Sequence, residues 1–347
     1  MCWAGRAVGT PPVTSTTLLS VLLPCRDAAA TLDEALESLA AQTFRAFEII
    51  AVDDGSTDGT AALLEKWAAR DRRICTIFTP PRGIVSALNT AAAQARGTLL
   101  ARMDADDIAA PLRLERQIEF LDAHTGLAAC GTWIRYMPRR LVRGGARRYE
   151  QWINSVNTPA EMERDLFVEC PIPHPSLVMR RAAFERVGGY RDAGWPEDYD
   201  LILRFWEVGY PLGKVTEVLL EWRERPERLS RTDGRYGEKA FRRCKAHFLG
   251  RRIAGRPVVV WGAGPVGKAF ARAIQSEGHE VVAFVDLDPR KIGQTIYGAP
   301  VVHPSAIGEH RGAFIVAAVG SADARTEIRD SLREAGFKEP EDCCAVA

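Results

Sequence analysis

The residues best suited to chemistry are three aspartates, Asp104, Asp106 and Asp107, in the run Ala101-Arg-Met-Asp-Ala-Asp-Asp107. The apolar stretch Gly97–Leu100 precedes them and predicts a strand. Carboxylates crowded at a strand end repel one another unless a cation or hydrogen-bond donors gather there. Hard oxygen ligands at this spacing suit Mg²⁺ or Mn²⁺, ions that commonly hold the phosphates of a substrate. The run alone leaves an alternative open, an acidic turn that caps the next helix.

The elements that position these carboxylates alternate between strand and helix. Short apolar runs predict strands, and 3.6-residue apolar spacing predicts the helices between them. The predicted strands are Leu18–Pro24, Phe47–Val52, Ile74–Phe78 and Thr98–Met103, and the predicted helices are Thr31–Gln42, Thr60–Arg70 and Gly83–Arg96. This alternation indicates an α/β fold with a parallel sheet, in which ligands bind at the carboxyl ends of strands. Both acidic clusters, Asp53-Asp54 and the run with Asp104, follow such ends.

A second β-α-β unit begins after Pro257. The strand Val258–Trp261 leads into Gly262-Ala-Gly-Pro-Val-Gly267, and a second strand, Val281–Val285, ends in Asp286. A glycine turn between strand and helix, followed by an acid, is typical of a dinucleotide-binding site. Gly262, Gly264 and Gly267 would let phosphate approach the helix N-terminus, and Asp286 would accept from a ribose hydroxyl. NAD(P), a nucleotide-sugar and an empty Rossmann-like fold remain open.

Length and charge limit the possible function classes. The 347 residues suffice for two domains, and a formal net charge of +1 argues against a nucleic-acid-binding protein. Residues 222–256 hold 12 Lys/Arg and 4 Asp/Glu. This basic segment is interpreted as a solvated helix face and linker, or else as a contact with a phosphorylated acceptor or a membrane surface. No apolar run reaches the ~18 residues of a membrane span. Scattered cysteines favour a reducing compartment, so we expect a cytoplasmic protein, peripheral at the inner membrane face if the segment binds lipid.

The first ~230 residues resemble a family 2 glycosyltransferase, an enzyme of the GT-A fold that uses nucleotide-sugars. The matching stretches are Val21–Arg26, Thr31–Phe44, Val52–Asp58, Gly83 with Ala87-Leu-Asn89, Ala101–Asp107 and Trp195–Asp200. The resemblance implies a GT-A domain with a mixed, mostly parallel sheet. The C-terminal part resembles the small Rossmann-like domain at the front of bacterial sugar-nucleotide acetyltransferases. The expected domains are a loose tail (residues 1–17), the GT-A domain (18–235), a basic helical linker (236–255) and the Rossmann-like domain (256–347).

The resemblance also implies a role for each site residue. Asp106 and Asp104 would hold Mg²⁺ or Mn²⁺ at the donor diphosphate, and Asp198 would be the general base, with Glu197 supporting the acceptor site. His174 would lie near the acceptor. The remaining residues implied to bind the donor are Pro24, Arg26, Asp53, Asp54, Gly83, Asn89 and Arg102. A plainer interpretation makes Glu197 and Asp198 only the acidic first turn of a helix, which favours its dipole.

The resulting expectation is an inverting enzyme that transfers one sugar to a cell-surface polysaccharide or lipid-linked precursor. The chain has no Gln-x-x-Arg-Trp motif, which the processive members of the family carry. Two rival functions remain. One is an NAD-dependent enzyme that acts on a nucleotide-sugar, and the other is a non-catalytic nucleotide-sugar sensor.

Overall fold

The structure is a computed structural model that describes residues 18–225 and 228–347. The predicted tail of residues 1–17 lies outside the described residues. The described residues form two compact units. Of the described residues, the first unit takes 18–159, 172–193, 197–225 and 228, and the second takes 160–171, 194–196 and 229–347.

The strands predicted from the sequence are present, each within two residues at either end. In chain order the strands are β1 Leu19–Cys25, β2 Phe47–Asp54, β3 Ile74–Thr79, β4 Leu99–Arg102, β5 Ile108–Ala109, β6 Ala129–Met137, β7 Val178–Arg180, β8 Leu212–Arg223, β9 Val258–Trp261, β10 Val281–Val285, β11 Thr295–Ile296, β12 Ala299–Val302, β13 Phe314–Ala317 and β14 Cys343–Ala345.

The helices agree equally well wherever the apolar spacing was clear. They are α1 Leu32–Ala40, α2 Thr60–Arg70, α3 Ile84–Gln94, α4 Arg113–Ala123, α5 Gly144–Ser155, α6 Pro159–Asp165, α7 Arg181–Arg186, α8 Glu197–Glu207, α9 Leu229–Thr232, α10 Glu238–Ile253, α11 Pro265–Ser276 and α12 Ala322–Glu334. Among the described residues, no helix is both long enough and apolar enough to span a bilayer.

The first unit is built on an eight-stranded mixed sheet in the order β3-β2-β1-β4-β7-β6-β8-β5. Strands β3, β2, β1 and β4 are parallel, whereas β7 and β5 run antiparallel to their neighbours. Every residue of β2 is buried, as expected for a parallel strand covered on both faces. Because β2 and β4 end at the same edge, Asp53-Asp54 and the aspartate run lie on that edge. The prediction of an α/β fold with a mixed sheet is therefore confirmed.

The second unit has a six-stranded sheet in the order β11-β12-β10-β9-β13-β14. Apart from β11, its strands are parallel and the order reverses at β9, which is the doubly wound arrangement of Rossmann-like folds. Helix α10, which the sequence suggested as a linker, packs within this unit. Its Lys245 is buried, and the ammonium donates to the carbonyls of Val168 (2.7 Å) and Val346 (3.1 Å).

Candidate functional site

Asp104, Asp106 and Asp107 form a tight acidic cluster in the turn between β4 and β5. One carboxylate oxygen of each lies within 4.8 Å of the others. Burial, and then the charge of Asp104, raise the pKa of Asp106. Burial and both neighbouring carboxylates raise the pKa of Asp107 well above its ordinary value. The negative charges of Asp106 and Asp107 therefore cost free energy that a cation would offset.

The donor atoms of this cluster suit a hard divalent cation. Asp107 is buried, and its Oδ1 accepts from the backbone N–H of Arg223 at 2.8 Å. Its Oδ2 is also buried and has no hydrogen-bond partner among the described residues. An unpaired carboxylate oxygen beside two further carboxylates matches the all-oxygen ligand sets of Mg²⁺ and Mn²⁺.

Arg102 lies at the end of β4 beneath the cluster and is only 1% exposed. Its Nη2 pairs with Oδ1 of Asp104 at 2.6 Å, whereas Nε and Nη1 have no partner in the described part of the chain. An arginine at a strand end is more often a surface side chain, but Arg102 is buried, and its contact with a donor phosphate stays a prediction. Arg113, also buried, donates from Nη2 to the Arg102 carbonyl at 2.6 Å and so fixes the backbone that carries the cluster.

Arginines at the end of β8 also enclose the acidic cluster, and sequence reasoning missed them. Arg223 donates from Nε to the carbonyl of Asp106 at 2.6 Å and pairs with Glu34 of α1. Arg225 places Nη2 3.0 Å from Oδ2 of Asp106. The spacing Arg223-x-Arg225 within the basic segment was the available signal, but only the pairing of β8 with β5 brings it beside the aspartates.

The aspartates at the end of β2 have different roles. Asp53 is buried and accepts through Oδ1 from the backbone N–H of Ser56 at 3.2 Å and from its hydroxyl. Asp54 accepts from the backbone N–H groups of Arg82 (2.7 Å) and Gly83 (2.8 Å), so it orders the turn before α3. In this turn Gly83 has a φ of +86°, a conformation that glycine adopts without strain.

Three residues predicted to contact the donor lie on or next to this strand end. Pro24 is half-buried near the end of β1, opposite Val52 of β2. Arg26 is exposed just beyond β1, and its Nη1 lies 3.7 Å from Oδ2 of Asp54. Asn89 is on α3, and its side-chain amide binds the backbone of Tyr190 through two hydrogen bonds, of 2.9 and 3.1 Å. Asn89 therefore fixes Tyr190 in place, and a contact between Asn89 and a donor stays a prediction.

His174 and Tyr190 form a buried pair next to the acidic helix. The ring nitrogen Nε2 of His174 lies 2.8 Å from the hydroxyl of Tyr190, and Nδ1 lies 3.9 Å from Oε1 of Glu197. Burial, and then the charge of Arg102, hold the pKa of His174 well below its ordinary value, so the ring is neutral near pH 7. Tyr190 was not singled out in the sequence, which gave no signal for it.

Glu197 and Asp198 open α8, as the sequence predicted. The Glu197 side chain is buried, and Asp198 is half-buried. One turn further on, Asp200 pairs with Arg204 at 2.7 Å, and Arg204 in turn donates to the carbonyls of Val187 and Gly189. This network fixes the first turn of α8, which carries the two acids.

Electrostatic interactions place these groups in one neighbourhood of the first unit. Burial raises the pKa of the Cys25 thiol, and the charges of Asp53 and Asp104 raise it further. Burial raises the pKa of Tyr190, Arg102 opposes the rise, and Glu197 and Asp198 add to it. Arg102 therefore acts on both sets of acids and links the aspartate cluster to the first turn of α8.

The predicted site of the second unit is arranged differently. Oδ2 of Asp286 accepts from the Ala263 N–H at 2.9 Å and from the Lys291 ammonium at 2.9 Å, and its Oδ1 accepts from the Asp288 N–H at 2.9 Å. A Cβ added to Gly267 would lie 1.7 Å from the Gly262 carbonyl oxygen, whereas one added to Gly264 would meet nothing within 4 Å. Gly267 is thus required by the turn itself, and Gly264 leaves open space in front of α11.

Comparisons with known proteins match two families to different parts of the chain. Residues 20–188 match the family described as Glycosyl transferase family 2, and residues 255–341 match the family described as C2185-like, N-terminal. The putative glycosyltransferase EpsE of Bacillus subtilis is 31% identical over 223 residues, covering 63% of this chain and 77% of EpsE. The amylovoran biosynthesis glycosyltransferase AmsE of Erwinia amylovora is 28% identical over 204 residues, covering 58% of this chain and 74% of AmsE.

A solved structure shares the fold. Residues 1–349 of S. aureus TarS in complex with UDP-GlcNAc align with a TM-score of 0.55 at 17% sequence identity, covering 75% of this chain and 71% of the solved TarS chain. At this level of identity the likeness concerns the fold alone.

Proposed function

Since the chain belongs to glycosyltransferase family 2, we propose that it transfers a single sugar from a nucleotide-sugar to a hydroxyl group of a saccharide or lipid-linked acceptor, with inversion at the anomeric carbon. One observation carries this proposal. The buried Arg102 pairs with Asp104 of the three-carboxylate cluster and also interacts electrostatically with Glu197 in the first turn of α8, so the proposed donor site and the proposed base belong to one charged neighbourhood.

The donor diphosphate binds at the aspartate cluster. Asp104 and Asp106, with Asp107, would hold Mg²⁺ or Mn²⁺, which would neutralise the charge that develops as the nucleotide leaves. Asp53 lies at the end of β2, and its carboxylate would accept an N–H of the base. The backbone of the turn at Gly83, ordered by Asp54, forms part of the same side of the site.

Asp198 removes the proton of the acceptor hydroxyl during attack on the anomeric carbon. Its place in the first turn of α8, fixed by the Asp200–Arg204 pair, supports this role. Glu197 and the neutral His174 lie beside it and orient the acceptor. Because His174 is uncharged near pH 7, it acts as a hydrogen-bonding group rather than as a counter-ion.

The acceptor is proposed to be a precursor of a cell-surface polysaccharide or glycolipid. The name of AmsE, an amylovoran biosynthesis glycosyltransferase, and that of the O-antigen biosynthesis glycosyltransferase WbnJ of Escherichia coli support this class of acceptor. TarS was solved with UDP-GlcNAc, which makes a UDP-sugar the first donor to test.

The second unit has a supporting role in this proposal. The open space at Gly264 and the N-terminus of α11 suit the phosphates of a nucleotide or nucleotide-sugar. The carboxylate oxygens of Asp286 already accept from two N–H groups and Lys291, so a ribose hydroxyl would have to compete with them. No feature of the described residues favours hydride transfer, and the proposal does not include NAD(P).

The decisive experiment separates donor binding from transfer. Thermal-shift screening against UDP-, GDP- and dTDP-sugars with Mn²⁺ identifies the donor, and nucleotide release then measures transfer. We expect Asp198→Asn to abolish transfer and to change the donor dissociation constant less than about twofold, since the base acts only on the acceptor. Asp122→Asn, an exposed aspartate on α4, is the matched control and should behave as the parent chain. Full transfer by Asp198→Asn would refute the mechanism, and the absence of any nucleotide-sugar shift would refute the function.

A further inference from the structure

The first unit carries a strongly basic surface that the proposed function does not use. Five arginines fall within ten residues between the end of β6 and the first turn of α5. We call this the arginine surface, and it comprises Arg139, Arg140, Arg143, Arg147 and Arg148. Residues 139–148 contain no acidic residue, and the five charges exceed the formal net charge of +1 of the whole chain. The remainder of the chain is therefore net acidic.

All five arginines are exposed, and most lack an internal partner. Arg139 pairs with Glu150 at 2.7 Å. Within residues 18–225 and 228–347, no ion pair reaches any of the other four arginines. Leu141 lies among them and is 46% exposed, one of the few large apolar side chains on the surface. A cationic surface with an exposed leucine at its centre combines the two features that bind a protein to an anionic lipid interface.

The basic segment of residues 222–256, first considered for this role, is a weaker candidate. Arg223 and Arg225 bind the aspartate cluster. Lys245 is buried, and Arg256 pairs with Asp342. Cations held by internal partners have less charge to offer an external surface. Residues 222–256 have the larger excess of basic over acidic residues in the sequence. Residues 139–148 have exposed arginines that no ion pair among the described residues neutralises.

The arginine surface is rigidly joined to the wall of the aspartate cluster. Helix α5, which carries two of the arginines, packs on the core through Ile153, Tyr149 and Trp152. The ring of Tyr149 lies 6.3 Å from that of Trp222 on β8, and the next residue, Arg223, binds Asp107 and Asp106. A surface fixed in this way would hold the aspartate cluster at a constant distance from whatever it binds.

We propose that the arginine surface binds the anionic headgroups of a phospholipid bilayer. Guanidinium groups form paired hydrogen bonds with phosphate oxygens, and Leu141 would enter the interface between headgroups. Four unpaired arginines spread over an exposed turn and helix match the distributed charge of a lipid leaflet, whereas a single soluble phosphate would occupy only one or two of them. The proposal goes beyond sugar transfer and requires no donor or metal.

Vesicle co-sedimentation of the full chain tests the proposal. The comparison uses phosphatidylcholine vesicles with and without phosphatidylglycerol at about 0.1 M salt, where the Debye length is about 10 Å. We expect binding only to the anionic vesicles and release at high salt. The triple variant Arg143→Gln, Arg147→Gln, Arg148→Gln should lose about 100-fold in partitioning, since each basic residue near such a surface contributes about fivefold.

The matched control removes three other exposed charges, Lys66→Gln, Arg70→Gln and Arg72→Gln, on and just after α2. This control should sediment as the parent chain does. Equal losses in the two triple variants, or no binding by the parent chain, would overturn the proposal. It would also be overturned if the arginine triple variant kept vesicle binding but lost transfer to a lipid-free acceptor, because the surface would then bind the acceptor itself. None of the vesicle measurements depends on the glycosyltransferase assignment, so the two proposals can fail separately.

Discussion

The two units each place an aspartate at the end of a parallel strand, but the two sites differ in how far their polar atoms are satisfied. In the first unit, Oδ2 of Asp107 and two guanidinium nitrogens of Arg102 are buried without a partner among the described residues. In the second unit, Asp286 accepts three hydrogen bonds, including one from Lys291. A buried unpaired polar atom costs about 1–3 kcal/mol, so the first site has a free-energy reason to gather a ligand. The second site is complete as a turn.

This difference separates two interpretations that look alike in the sequence. A strand, a turn and an acidic residue occur in both units, and either could be a ligand site or a structural turn. The number of hydrogen-bond partners that each aspartate has in the structure distinguishes a ligand site from a structural turn. It favours chemistry at Asp104 to Asp107 and structure at Asp286, and the following predictions test that contrast.

The largest expected effect comes from the same substitution made in both units. Asp106→Asn should lower kcat/KM by about 10³-fold, or about 4 kcal/mol, because it removes a charged ligand of the proposed metal ion. Its folding stability should not fall, since the charge of a crowded, half-buried carboxylate is removed. Asp286→Asn should leave kcat/KM unchanged and lower the free energy of unfolding by about 1–3 kcal/mol, through lost charge-assisted hydrogen bonds. Nucleotide release and chemical denaturation measure the two quantities. If Asp286→Asn impaired transfer, the contrast would be wrong.

A second pair tests whether the glycine turn of the second unit is structural. Gly267→Ala should lower the free energy of unfolding by about 3 kcal/mol or more, because its Cβ would overlap the Gly262 carbonyl. Gly264→Ala should change stability by less than about 1 kcal/mol, since its Cβ enters open space.

The same pair also reports on a ligand. If nucleotide phosphates approach the turn, Gly264→Ala should weaken the thermal shift that a nucleotide-sugar produces, while stability without ligand stays constant. A shift that Gly264→Ala leaves unchanged would place the ligand elsewhere and would make the turn purely structural.

How much of the fold and the site the sequence alone could predict depends on how far apart along the chain the contacting residues lie. The helix over residues 60–70, the strand that carries Asp53 and the strand that precedes Asp104 are set by local apolar periodicity, and the structure has them within two residues. The acidic first turn of α8 is also local, so Glu197 and Asp198 were found.

Contacts between residues far apart along the chain could not be predicted from the sequence. Arg223 binds Asp107, 116 positions away, only because β8 pairs with β5. Arg102 resembles a surface side chain in the sequence, and only the three-dimensional neighbourhood of Asp104 and Tyr190 explains why it is buried. Residues 131–175 have mixed periodicity, and β6, α5 and α6 there could not be ordered in advance.

A smaller effect concerns how the free energy of unfolding depends on pH through His174 of the first unit. His174 has a pKa held well below its usual value by burial and by Arg102. The unfolded chain takes up a proton on this ring below about pH 6.5, while the folded chain does not, so the free energy of unfolding should fall as the pH drops below that value. The slope from this group is at most about 1.4 kcal/mol per pH unit. Denaturation at several pH values should show a shallower slope for His174→Gln, and an unchanged slope would mean that the ring is solvated.

The smallest expected effect tests whether the acidic cluster is open to a metal ion. Arg225 lies 3.0 Å from Asp106 and is 38% exposed, so its guanidinium competes with a cation for that carboxylate. Arg225→Gln should raise the affinity of the nucleotide-free protein for Mn²⁺ by about two- to fivefold, the scale of a partly exposed ion pair. It should also weaken binding of a nucleoside diphosphate, because a guanidinium released from Asp106 can pair with phosphate. Mn²⁺ titration followed by electron paramagnetic resonance measures the Mn²⁺ affinity, and calorimetry with UDP measures the affinity for the nucleoside diphosphate.

The control is Arg116→Gln, on α4 and paired with Glu119, which removes the same charge away from the cluster. It should change neither the Mn²⁺ affinity nor the UDP affinity. If Arg225→Gln left Mn²⁺ affinity unchanged, Asp106 would not be a ligand, and the unpaired atoms of the first site would need another explanation.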